Sequence, residues 1–355
     1  ETGGPSSKKV TRMIEKEAAR VKIKDVKIDE KKAEKNIIAF DPRPPYMRKL
    51  RKVLNMPMLK AGRMKIAVDC MNGIAAGYLD KFLKDLNYEV KVINVHSDPL
   101  YGGRNPDPST ENLKELINTV KKENFDIGLA VDGDSDRFGV IDENGEFIIP
   151  NKVISLIFYY LVNSAKLMPC VARSVSTTHL IDEIAKDYGV NTVETPIGFK
   201  YIAEQLLSGT CMFGAEESGG LSVAGHIPEK DGLLANLLVV EAMVYFKKSL
   251  KVILDEIYQK YGRFYNKRIN IEMDWPSQVK FMTKLAQKPP LRIAGKRVAA
   301  VNRVDGYKFI LENGDWLMFR PSGTEPMVRC YAESRSRKGY NSLLEETGKL
   351  IKAIG

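Results

Sequence analysis

Three aspartates alternate with small residues in one short segment, and their spacing could hold a metal ion. Asp132, Asp134 and Asp136 fall within the stretch LAVDGDSDRFGVID, which otherwise has the composition of two strands. Two unit charges a few ångströms apart repel by roughly 3–4 kcal/mol at an effective dielectric constant of about 20. The segment therefore needs either a hard cation such as Mg²⁺ or Ca²⁺, which carboxylate oxygens suit, or the full hydration of an ordinary acidic turn.

This segment, residues 132–137 and hereafter the acidic loop, also matches part of the EF-hand calcium pattern. Its aspartates and Glu143 occupy positions 1, 3, 5 and 12 of such a loop. Position 6 is Arg137, where the EF-hand has glycine, and strands rather than helices are predicted on both sides. The EF-hand is therefore excluded, and a catalytic Mg²⁺ that keeps several waters and leaves room for a phosphate oxygen is the favoured interpretation.

A second polar turn, GAEESGG, spans Gly214–Gly220. Two acids and a hydroxyl on a flexible turn at the end of a strand can hydrogen-bond the neighbouring hydroxyls of a sugar, and an ordinary polar glycine turn is the alternative. The stretch HIPEKDG follows, in which Lys230 could donate a proton or contact a phosphate. We name residues 216–220 the Glu-Ser loop.

A third segment, FRPSGTEPMVR, places two arginines around a tight turn. Arg320 and Arg329 flank Ser322, Gly323 and Thr324. Two guanidinium groups, two hydroxyls and free turn amides can bind an anion, although a plain hairpin with structural arginines is the alternative. We name residues 320–329 the arginine hairpin. A metal loop, a hydroxyl-binding loop and an anion-binding loop together indicate a phosphorylated sugar as ligand.

The elements that must position these loops alternate between strands and helices. MKIAVDC, YEVKVINV and FDIGLAV are predicted strands separated by helices, and the segment STENLKELINTVKKEN is predicted to begin with a Ser or Thr cap. The same alternation recurs after residue 150, and short strands with a closing helix follow from about residue 261. The predicted fold class is α/β, with two related α/β domains of mixed, largely parallel sheets and a C-terminal α+β domain. The predicted units are residues 1–40, 41–150, 151–260 and 261–355.

Composition narrows the class of protein. The 355 residues are 44% hydrophobic and 28% charged, which is ordinary for a soluble globular protein. The net charge of +10 permits a nucleic acid or a small phosphorylated anion as partner, but Lys and Arg are spread beside Glu and Asp, which predicts hydrated surfaces and no nucleic-acid partner. The longest apolar stretch, LLANLLVVEAMVYF, is shorter than the ~20 residues that span a bilayer, so no membrane association is predicted.

The cysteines are few and distant from one another. Cys70, Cys170, Cys211 and Cys330 form no CxxC pair. This spacing predicts neither a zinc site nor a disulfide framework, and it favours a reducing, cytoplasmic location.

In this order, the three motifs resemble those of the α-D-phosphohexomutase superfamily, and the resemblance covers nearly all of the chain. DGDSDR resembles its metal loop, GAEESGG its sugar-binding loop and RPSGTEP its phosphate-binding loop, while TPIGFKYI and HIPEKDG are most similar to the phosphoglucomutase branch. The resemblance implies four domains around a deep cleft and interconversion of hexose 1-phosphate and hexose 6-phosphate. It implies glucose as the favoured sugar, with mannose possible, and Mg²⁺ as cofactor. A phosphoserine and glucose 1,6-bisphosphate, as intermediate and activator, complete the implied reaction.

The resemblance also implies a role for each matching residue. The metal ligands would be Asp132, Asp134 and Asp136, Arg137 would lie beside the transferring phosphoryl group, and Lys230 would act in acid–base chemistry near the sugar. Glu216 and Ser218 would bind the O3 and O4 hydroxyls, with Gly198 and Lys200 in the loop that sets specificity. The phosphate that is not transferred would be bound by Arg320, Ser322, Gly323, Thr324 and Arg329.

One family motif has no counterpart in the sequence. The phosphoserine loop of the family resembles TASHNP, and the 355 residues contain no S-H-N-P stretch. We therefore expect domains 2 to 4, with residues 1–40 as the remainder of domain 1 and a linker, an N-terminal domain as partner, and no turnover by the chain alone. Two alternatives stay open: a metal-dependent sugar-phosphate phosphatase with Asp132 as nucleophile, and a non-catalytic phosphosugar-binding protein.

Overall fold

The computed structural model describes residues 2–25, 29–164 and 168–354. The predicted units also include positions 1, 26–28, 165–167 and 355, which lie outside the described residues. Helical segments precede the first sheet. The described side chains before residue 43 are largely exposed. These helices are α1 (Lys8–Ala18), a 3₁₀ turn (Ile23–Asp25), α2 (Glu30–Asn36), α3 (Arg43–Val53) and α4 (Met56–Ala61).

The first α/β unit, residues 65–148, contains a mixed sheet with the strand order β2-β1-β3-β4-β5. Strand β1 pairs in parallel with β2 and β3, whereas β4 is antiparallel to β3. The central strands β1 and β3 are buried along nearly their whole length, as expected for strands covered on both faces. Its elements are β1 (Lys65–Asp69), α5 (Leu79–Lys84), β2 (Glu89–Ile93), a 3₁₀ turn (Tyr101–Gly103), α6 (Lys114–Glu123), β3 (Ile127–Val131), β4 (Phe138–Ile141) and β5 (Phe147–Ile148).

The second α/β unit, residues 150–261, repeats this arrangement. Its sheet has the order β7-β6-β8-β9, with β6 parallel to β7 and β8, and β9 antiparallel to β8. Its elements are α7 (Pro150–Asn163), β6 (Cys170–Ser174), α8 (Leu180–Asp187), β7 (Asn191–Thr195), α9 (Phe199–Leu207), β8 (Phe213–Ala215), β9 (Leu221–Val223), α10 (Gly232–Phe246) and α11 (Leu250–Tyr261).

The C-terminal unit, residues 265–354, is an antiparallel sheet with helices. The strand order is β10-β15-β14-β13-β12-β11. The elements are β10 (Tyr265–Glu272), α12 (Trp275–Gln287), β11 (Arg292–Ile293), β12 (Lys296–Asn302), β13 (Tyr307–Leu311), β14 (Trp316–Pro321), β15 (Met327–Ser334) and α13 (Arg337–Ile354). The predicted fold class is thus confirmed.

One hydrophobic core joins the two α/β units. It includes residues of the first sheet, such as Val68 and Leu129, and of the second, such as Val171 and Phe213. Helix α10 lies in this core, and every residue in it from Gly232 to Met243 is buried. The long apolar stretch of the sequence is therefore an interior helix. Among the described residues, no helix combines the length and apolarity needed to cross a bilayer.

The structure corrects the prediction for the cysteines. Cys170 and Cys211 form a disulfide with Cα atoms 4.4 Å apart, although 41 positions separate them in sequence. Strands β6 and β8 are parallel neighbours, so the start of β6 and the residues just before β8 lie side by side. A reducing compartment was predicted because the cysteine spacing suggested no disulfide, and the disulfide removes that basis. Cys70 and Cys330 are free and buried.

A smaller correction concerns the start of α6. The predicted cap at Ser109 or Thr110 is wrong, because α6 begins at Lys114 and Leu113 occupies the cap position without a side-chain hydrogen bond. The preceding residues form turns instead, in which the Asn112 side chain donates to the carbonyl oxygen of Asp107.

Candidate active site

The acidic loop connects β3 to β4 and gathers its three aspartates at one point. One carboxylate oxygen from each of Asp132, Asp134 and Asp136 lies within 4.8 Å of the other two. Asp132 is buried, Asp136 half-buried and Asp134 exposed, so the cluster opens towards solvent on one side. Three hard oxygen donors at this separation fit a divalent cation such as Mg²⁺, with positions left for water or a phosphate oxygen.

Arg137 holds the buried end of the acidic loop. Its backbone N–H donates to Oδ1 of Asp132 at 2.8 Å and its Nε donates to Oδ2 at 2.7 Å, so both carboxylate oxygens are engaged. Its Nη1 donates to Asp107 at 2.6 Å. Burial raises the pKa of Asp132 to about 6, and the charge of Asp136 acts in the same direction. Arg137 therefore compensates a carboxylate that would otherwise be poorly solvated.

Close backbone contacts fix where the acidic loop lies. The N–H of Gly133 donates to the carbonyl oxygen of Pro106 at 3.2 Å, and the N–H of Ile74 donates to the carbonyl oxygen of Gly133 at 3.2 Å. A Cβ at position 133 would lie 2.6 Å from the ring of Tyr101. Glycine is needed here because the loop is wedged between two neighbouring segments.

The Glu-Ser loop connects β8 to β9, at the equivalent place in the second unit. Glu216 is buried, and its Oε1 accepts a 2.7 Å hydrogen bond from the N–H of Gly198. Burial raises the pKa of Glu216 to about 7, with a smaller contribution from the charge of Glu217. Gly198 precedes α9 with φ of 128°. The structure therefore brings together two of the residues predicted for sugar binding.

Lys230 joins the second unit to the acidic loop. Its Nζ contacts Oδ2 of Asp136, and the N–H of Gly232 donates to the carbonyl oxygen of Ser135 at 2.9 Å. Burial lowers the pKa of Lys230, but the hydrogen bond and charge of Asp136 outweigh burial, and the pKa lies above its ordinary value. The lysine is thus held as an ammonium group beside the three aspartates of the acidic loop.

Asp231 fixes the segment that carries Lys230. It caps α10 by accepting from the N–H of Leu234 at 2.9 Å. It also accepts from the hydroxyl of Tyr46 at 2.9 Å and lies 2.7 Å from Nε2 of His226. Tyr46 belongs to α3, so the position of Lys230 depends on a residue 185 positions from Asp231 in sequence.

The second acid of the Glu-Ser loop makes a contact that sequence reasoning missed. Glu217 lies 3.3 Å from Nη1 of Arg268 on β10 and accepts from the Ser176 hydroxyl at 3.5 Å. Together with Ser218 and Arg137, Glu217 and Arg268 line a cavity of about 390 Å³ between the three units. This volume falls within the about 300–1,000 Å³ typical of small-molecule pockets.

The arginine hairpin connects β14 to β15 and sets its two arginines opposite each other. Arg320 and Arg329 are cross-strand partners, which places their side chains on one face of the sheet. Arg320 donates through Nε to Asp305 at 2.9 Å, and Arg329 donates to Glu325 at 2.6 Å. Each guanidinium group keeps further N–H donors for an anion.

The turn of the hairpin uses one hydroxyl internally. The Oγ of Ser322 accepts from the N–H groups of Thr324 and Glu325 at 3.4 and 3.2 Å, so it shapes the turn and keeps its own proton to donate. A Cβ at Gly323 would meet open space, and Thr324 is exposed. Lys200 lies elsewhere: its Nζ is 5.2 Å from the ring centroid of Tyr201, on which Lys8 also lies.

Sequence signals for the missed residues were weak or absent. Glu217 stands beside Glu216 in the same motif, so the doubled acid was a signal that a second carboxylate is buried there. Asp107, Asp305 and Tyr46 contact the site from 30, 15 and 185 positions away, and no local pattern marks them.

Comparison with known proteins identifies three consecutive matches to one family. The family models describe phosphoglucomutase/phosphomannomutase α/β/α domain II over residues 44–145, α/β/α domain III over residues 149–261 and the C-terminal domain over residues 270–349. The chain is 32% identical over 309 residues to the phosphoglucomutase/phosphomannomutase of Thermococcus kodakarensis, covering 86% of this chain and 65% of that protein.

Two further proteins agree with these matches. The phosphoglucosamine mutase of Methanocaldococcus jannaschii is 32% identical over 294 residues, covering 82% of this chain and 63% of that protein. A crystal structure from Thermus thermophilus, named as a provisional phosphomannomutase, superposes with a TM-score of 0.76 at 30% identity, covering 88% of this chain and 66% of that one. The chain thus spans slightly less than two thirds of each of these proteins. The chain belongs to the phosphoglucomutase/phosphomannomutase family, within the α-D-phosphohexomutase superfamily that its motifs resemble.

Proposed function

We propose that this chain carries the metal-, sugar- and phosphate-binding parts of a phosphohexomutase that interconverts hexose 1-phosphate and hexose 6-phosphate through a hexose 1,6-bisphosphate. The observation that carries the proposal is the direct contact between Lys230 and Asp136, because it joins the predicted sugar-binding unit to the predicted metal cluster. The phosphoserine would come from residues outside the 355, since the chain contains no S-H-N-P stretch.

Each side chain has a distinct task in this proposal. Mg²⁺ held by Asp132, Asp134 and Asp136 would supply positive charge against phosphoryl oxygens. Arg137 is fixed between Asp132 and Asp107, lines the cavity and has further N–H donors available for a ligand. Such a positioned cation offsets the charge of a transferring phosphoryl group without reorganising.

The remaining residues orient the sugar and move a proton. Lys230 is held as an ammonium group, so it can donate a proton to the sugar oxygen whose bond to a departing phosphoryl group breaks, and as the neutral amine it can take a proton from a hydroxyl that is phosphorylated on reversal. Glu216 and Ser218 would hydrogen-bond the O3 and O4 hydroxyls. Arg320 and Arg329 would bind the phosphate that is not transferred, whichever end of the sugar carries it.

Glucose is the favoured sugar in this proposal, with mannose and glucosamine as competitors. The GFKYI and EKDG stretches favour the phosphoglucomutase branch, whereas one of the relatives above is named a phosphoglucosamine mutase. Galactose, epimeric at C4, should bind worst because it would leave a buried acceptor poorly paired. Since hexose phosphates do not cross membranes unaided, the proposal places the protein in the cytoplasm.

The two alternatives make different predictions. A phosphatase would use Asp132 as nucleophile, but Arg137 engages both of its oxygens and only 1% of the residue is exposed. Phosphate release from a hexose phosphate without an added donor would favour that alternative. Binding without turnover, even after an N-terminal fragment with the serine loop and glucose 1,6-bisphosphate are added, would favour a binding protein.

The decisive experiment is calorimetric titration of glucose 1-phosphate and glucose 6-phosphate with Mg²⁺ into the 355-residue chain. Arg320→Ala should weaken the binding of both by roughly ten- to hundredfold, the equivalent of one charge-assisted hydrogen bond. Arg297→Ala, which removes a 70% exposed arginine from β12, is the matched control and should change neither affinity. Free glucose binding as tightly as its phosphates would contradict the proposal.

A further inference from the structure

We propose that Asp305 is a positioning residue that couples sugar binding at Glu216 to phosphate binding at Arg320, across the boundary between the second unit and the C-terminal unit. The inference rests on the proposed function and names a residue that the motifs do not include. It follows from a continuous set of hydrogen bonds between the two predicted binding groups.

One carboxylate oxygen of Asp305 serves both units. Its Oδ2 accepts from Nε of Arg320 at 2.9 Å within the C-terminal unit. The same Oδ2 accepts from the backbone N–H of Ile197, also at 2.9 Å, in the second unit. Asp305 and Arg320 are about four-fifths buried, so the pair is partly shielded from water. The guanidinium group and the 197 amide are therefore held at a fixed distance from each other.

The adjacent amide completes the connection. The N–H of Gly198, one residue after Ile197, donates to Oε1 of Glu216 at 2.7 Å. Two consecutive amides thus donate to two carboxylates: Glu216 of the predicted sugar site, and Asp305, which pairs with Arg320 of the predicted phosphate site. The two N–H groups belong to adjacent peptide units that share the Cα atom of Ile197, so a displacement of Ile197 would move the partners of Glu216 and of Asp305 together.

Packing fixes both ends of this connection. Ile197 packs against an apolar cluster that contains Val175 of the second unit and Trp316, Met318 and Tyr331 of the C-terminal unit. Asp305 lies in the turn between β12 and β13, and the next residue, Gly306, has φ of 88°. A Cβ at position 306 would collide with the carbonyl oxygen of Phe319, so this turn lies directly on β14 beside Arg320. The carboxylate has little freedom to follow one partner and leave the other.

This geometry has a consequence for ligands of different length. A hexose phosphate reaches both Glu216 and Arg320, so its affinity depends on the distance that Asp305 fixes. Inorganic phosphate is too small to contact both groups at once, so its affinity is indifferent to that distance. For inorganic phosphate, loss of Asp305 also has opposing effects, because Arg320 loses an orienting partner while the hairpin gains net positive charge.

The test compares Asp305→Ala with Asp305→Asn and with a control, Glu312→Gln, which removes a 47% exposed carboxylate from the same unit. Glucose 1-phosphate and inorganic phosphate are titrated with Mg²⁺ into the full chain. Asp305→Ala should weaken glucose 1-phosphate binding about five- to tenfold and inorganic phosphate less than about twofold. Asparagine keeps an acceptor oxygen in the same place, so Asp305→Asn should restore most of the affinity.

A double-mutant cycle isolates the coupling. Glu216→Gln should weaken glucose 1-phosphate binding in the parent chain and have a clearly smaller effect in the Asp305→Ala background. Equal effects of Glu216→Gln in both backgrounds, or equal losses for glucose 1-phosphate and inorganic phosphate in Asp305→Ala, would overturn the coupling.

Hydrogen exchange of the Ile197 amide tests the bridge without any ligand. Exchange should accelerate in Asp305→Ala, and it should stay as in the parent in Asp305→Asn and Glu312→Gln. Unchanged exchange in Asp305→Ala overturns the bridge even if hexose phosphates bind. A protected Ile197 amide in a parent chain that binds no hexose phosphate overturns the proposed function and the coupling, but leaves the bridge itself standing.

Discussion

The two α/β units share the order of four strands, to which the first unit adds β5, and they differ in loop chemistry. In each unit the candidate binding loop connects the third and fourth strands of this order, β3 to β4 in the first unit and β8 to β9 in the second. Each loop begins with a buried carboxylate, Asp132 in the first unit and Glu216 in the second, whose pKa burial raises. The acidic loop satisfies its buried carboxylate with its own Arg137, whereas the Glu-Ser loop depends on Gly198 from a neighbouring segment.

This difference explains what each loop can do. A loop that carries its own counter-charge can keep its shape while two further carboxylates, Asp134 and Asp136, bind the proposed cation. The position of Glu216 in the Glu-Ser loop depends on the neighbouring segment that donates to it. Because Ile197 in that segment also donates to Asp305, the position of Glu216 is linked to that of the C-terminal unit. The shared topology fixes where the loops lie. The partner of the first carboxylate decides whether that carboxylate is held from within its own loop, which we call autonomous, or by another segment, which we call coupled.

The largest expected effect on the free energy of unfolding comes from a difference between the units at the starts of their strands. The same backbone hydrogen bond joins the equivalent strands in both, from Asp126 to Lys65 at 2.9 Å and from Met212 to Cys170 at 3.1 Å. Only the second unit adds a covalent link there, the disulfide to Cys211. Reduction should lower the free energy of unfolding by about 2–4 kcal/mol, because the link closes a loop of 41 positions in the unfolded chain.

Thiol titration and chemical denaturation check this expectation together. The denatured chain should show two reactive thiols before reduction and four afterwards, and Cys170→Ala should reproduce the stability loss. Cys330→Ala is the control for the loss of a buried sulfur atom, because Cys330 is free and lies in the hydrophobic core of the C-terminal unit. Four thiols without reductant would remove the covalent difference between the units.

The next effect concerns the autonomy of the acidic loop. Arg137→Met should destabilise the chain by about 2–3 kcal/mol, because the change leaves Asp132 buried without its partner. Arg268→Met, which breaks the 3.3 Å pair with Glu217, should lose less, because Arg268 is 40% exposed and the Ser176 hydroxyl still donates to Glu217. Saturating Mg²⁺ should recover part of the Arg137→Met loss and none of the Arg268→Met loss. Urea denaturation with and without Mg²⁺ measures both, and equal losses would contradict the autonomy of the acidic loop.

Much of the scaffold could be predicted from the sequence, and the contacts of the site could not. Strands such as β1 and β3 were predictable because buried apolar runs with turn signals leave few other choices. The three motifs were predictable because each is local. The Cys170–Cys211 link, the Glu217–Arg268 pair and the bridge at Asp305 join segments 41, 51 and 108 positions apart. Such contacts depend on how strands are ordered and units packed, which residue spacing does not record.

The buried carboxylate of the Glu-Ser loop should make the free energy of unfolding depend on pH. The pKa of Glu216 is raised by burial from 4.5 to about 7, so between these values the folded chain binds more protons than the unfolded chain. Its contribution to the free energy of unfolding therefore falls as pH rises through this window. Glu216→Gln keeps the acceptor for Gly198 and should gain ~1–3 kcal/mol relative to the parent at pH 8 compared with pH 4. Thermal denaturation across this range, with Glu312→Gln as control, measures the gain, and parallel curves for parent and variant would contradict it.

The smallest expected effect is a change in Mg²⁺ affinity, which tests whether the acidic loop alone binds the metal. Asp134 is the exposed member of the cluster, so Asp134→Asn should leave the fold intact while it removes one charge and one hard ligand from the cation. Mg²⁺ affinity should fall about tenfold, which corresponds to ~1.4 kcal/mol. Glu217→Gln removes an equal charge from the Glu-Ser loop and should leave Mg²⁺ affinity unchanged, because Glu217 faces Arg268 rather than the aspartates. Calorimetric titration of Mg²⁺ into both variants decides the point. A loss of affinity in Glu217→Gln as large as in Asp134→Asn would mean that both loops hold the cation, whereas a loss in Asp134→Asn alone assigns the metal to the loop that carries its own arginine.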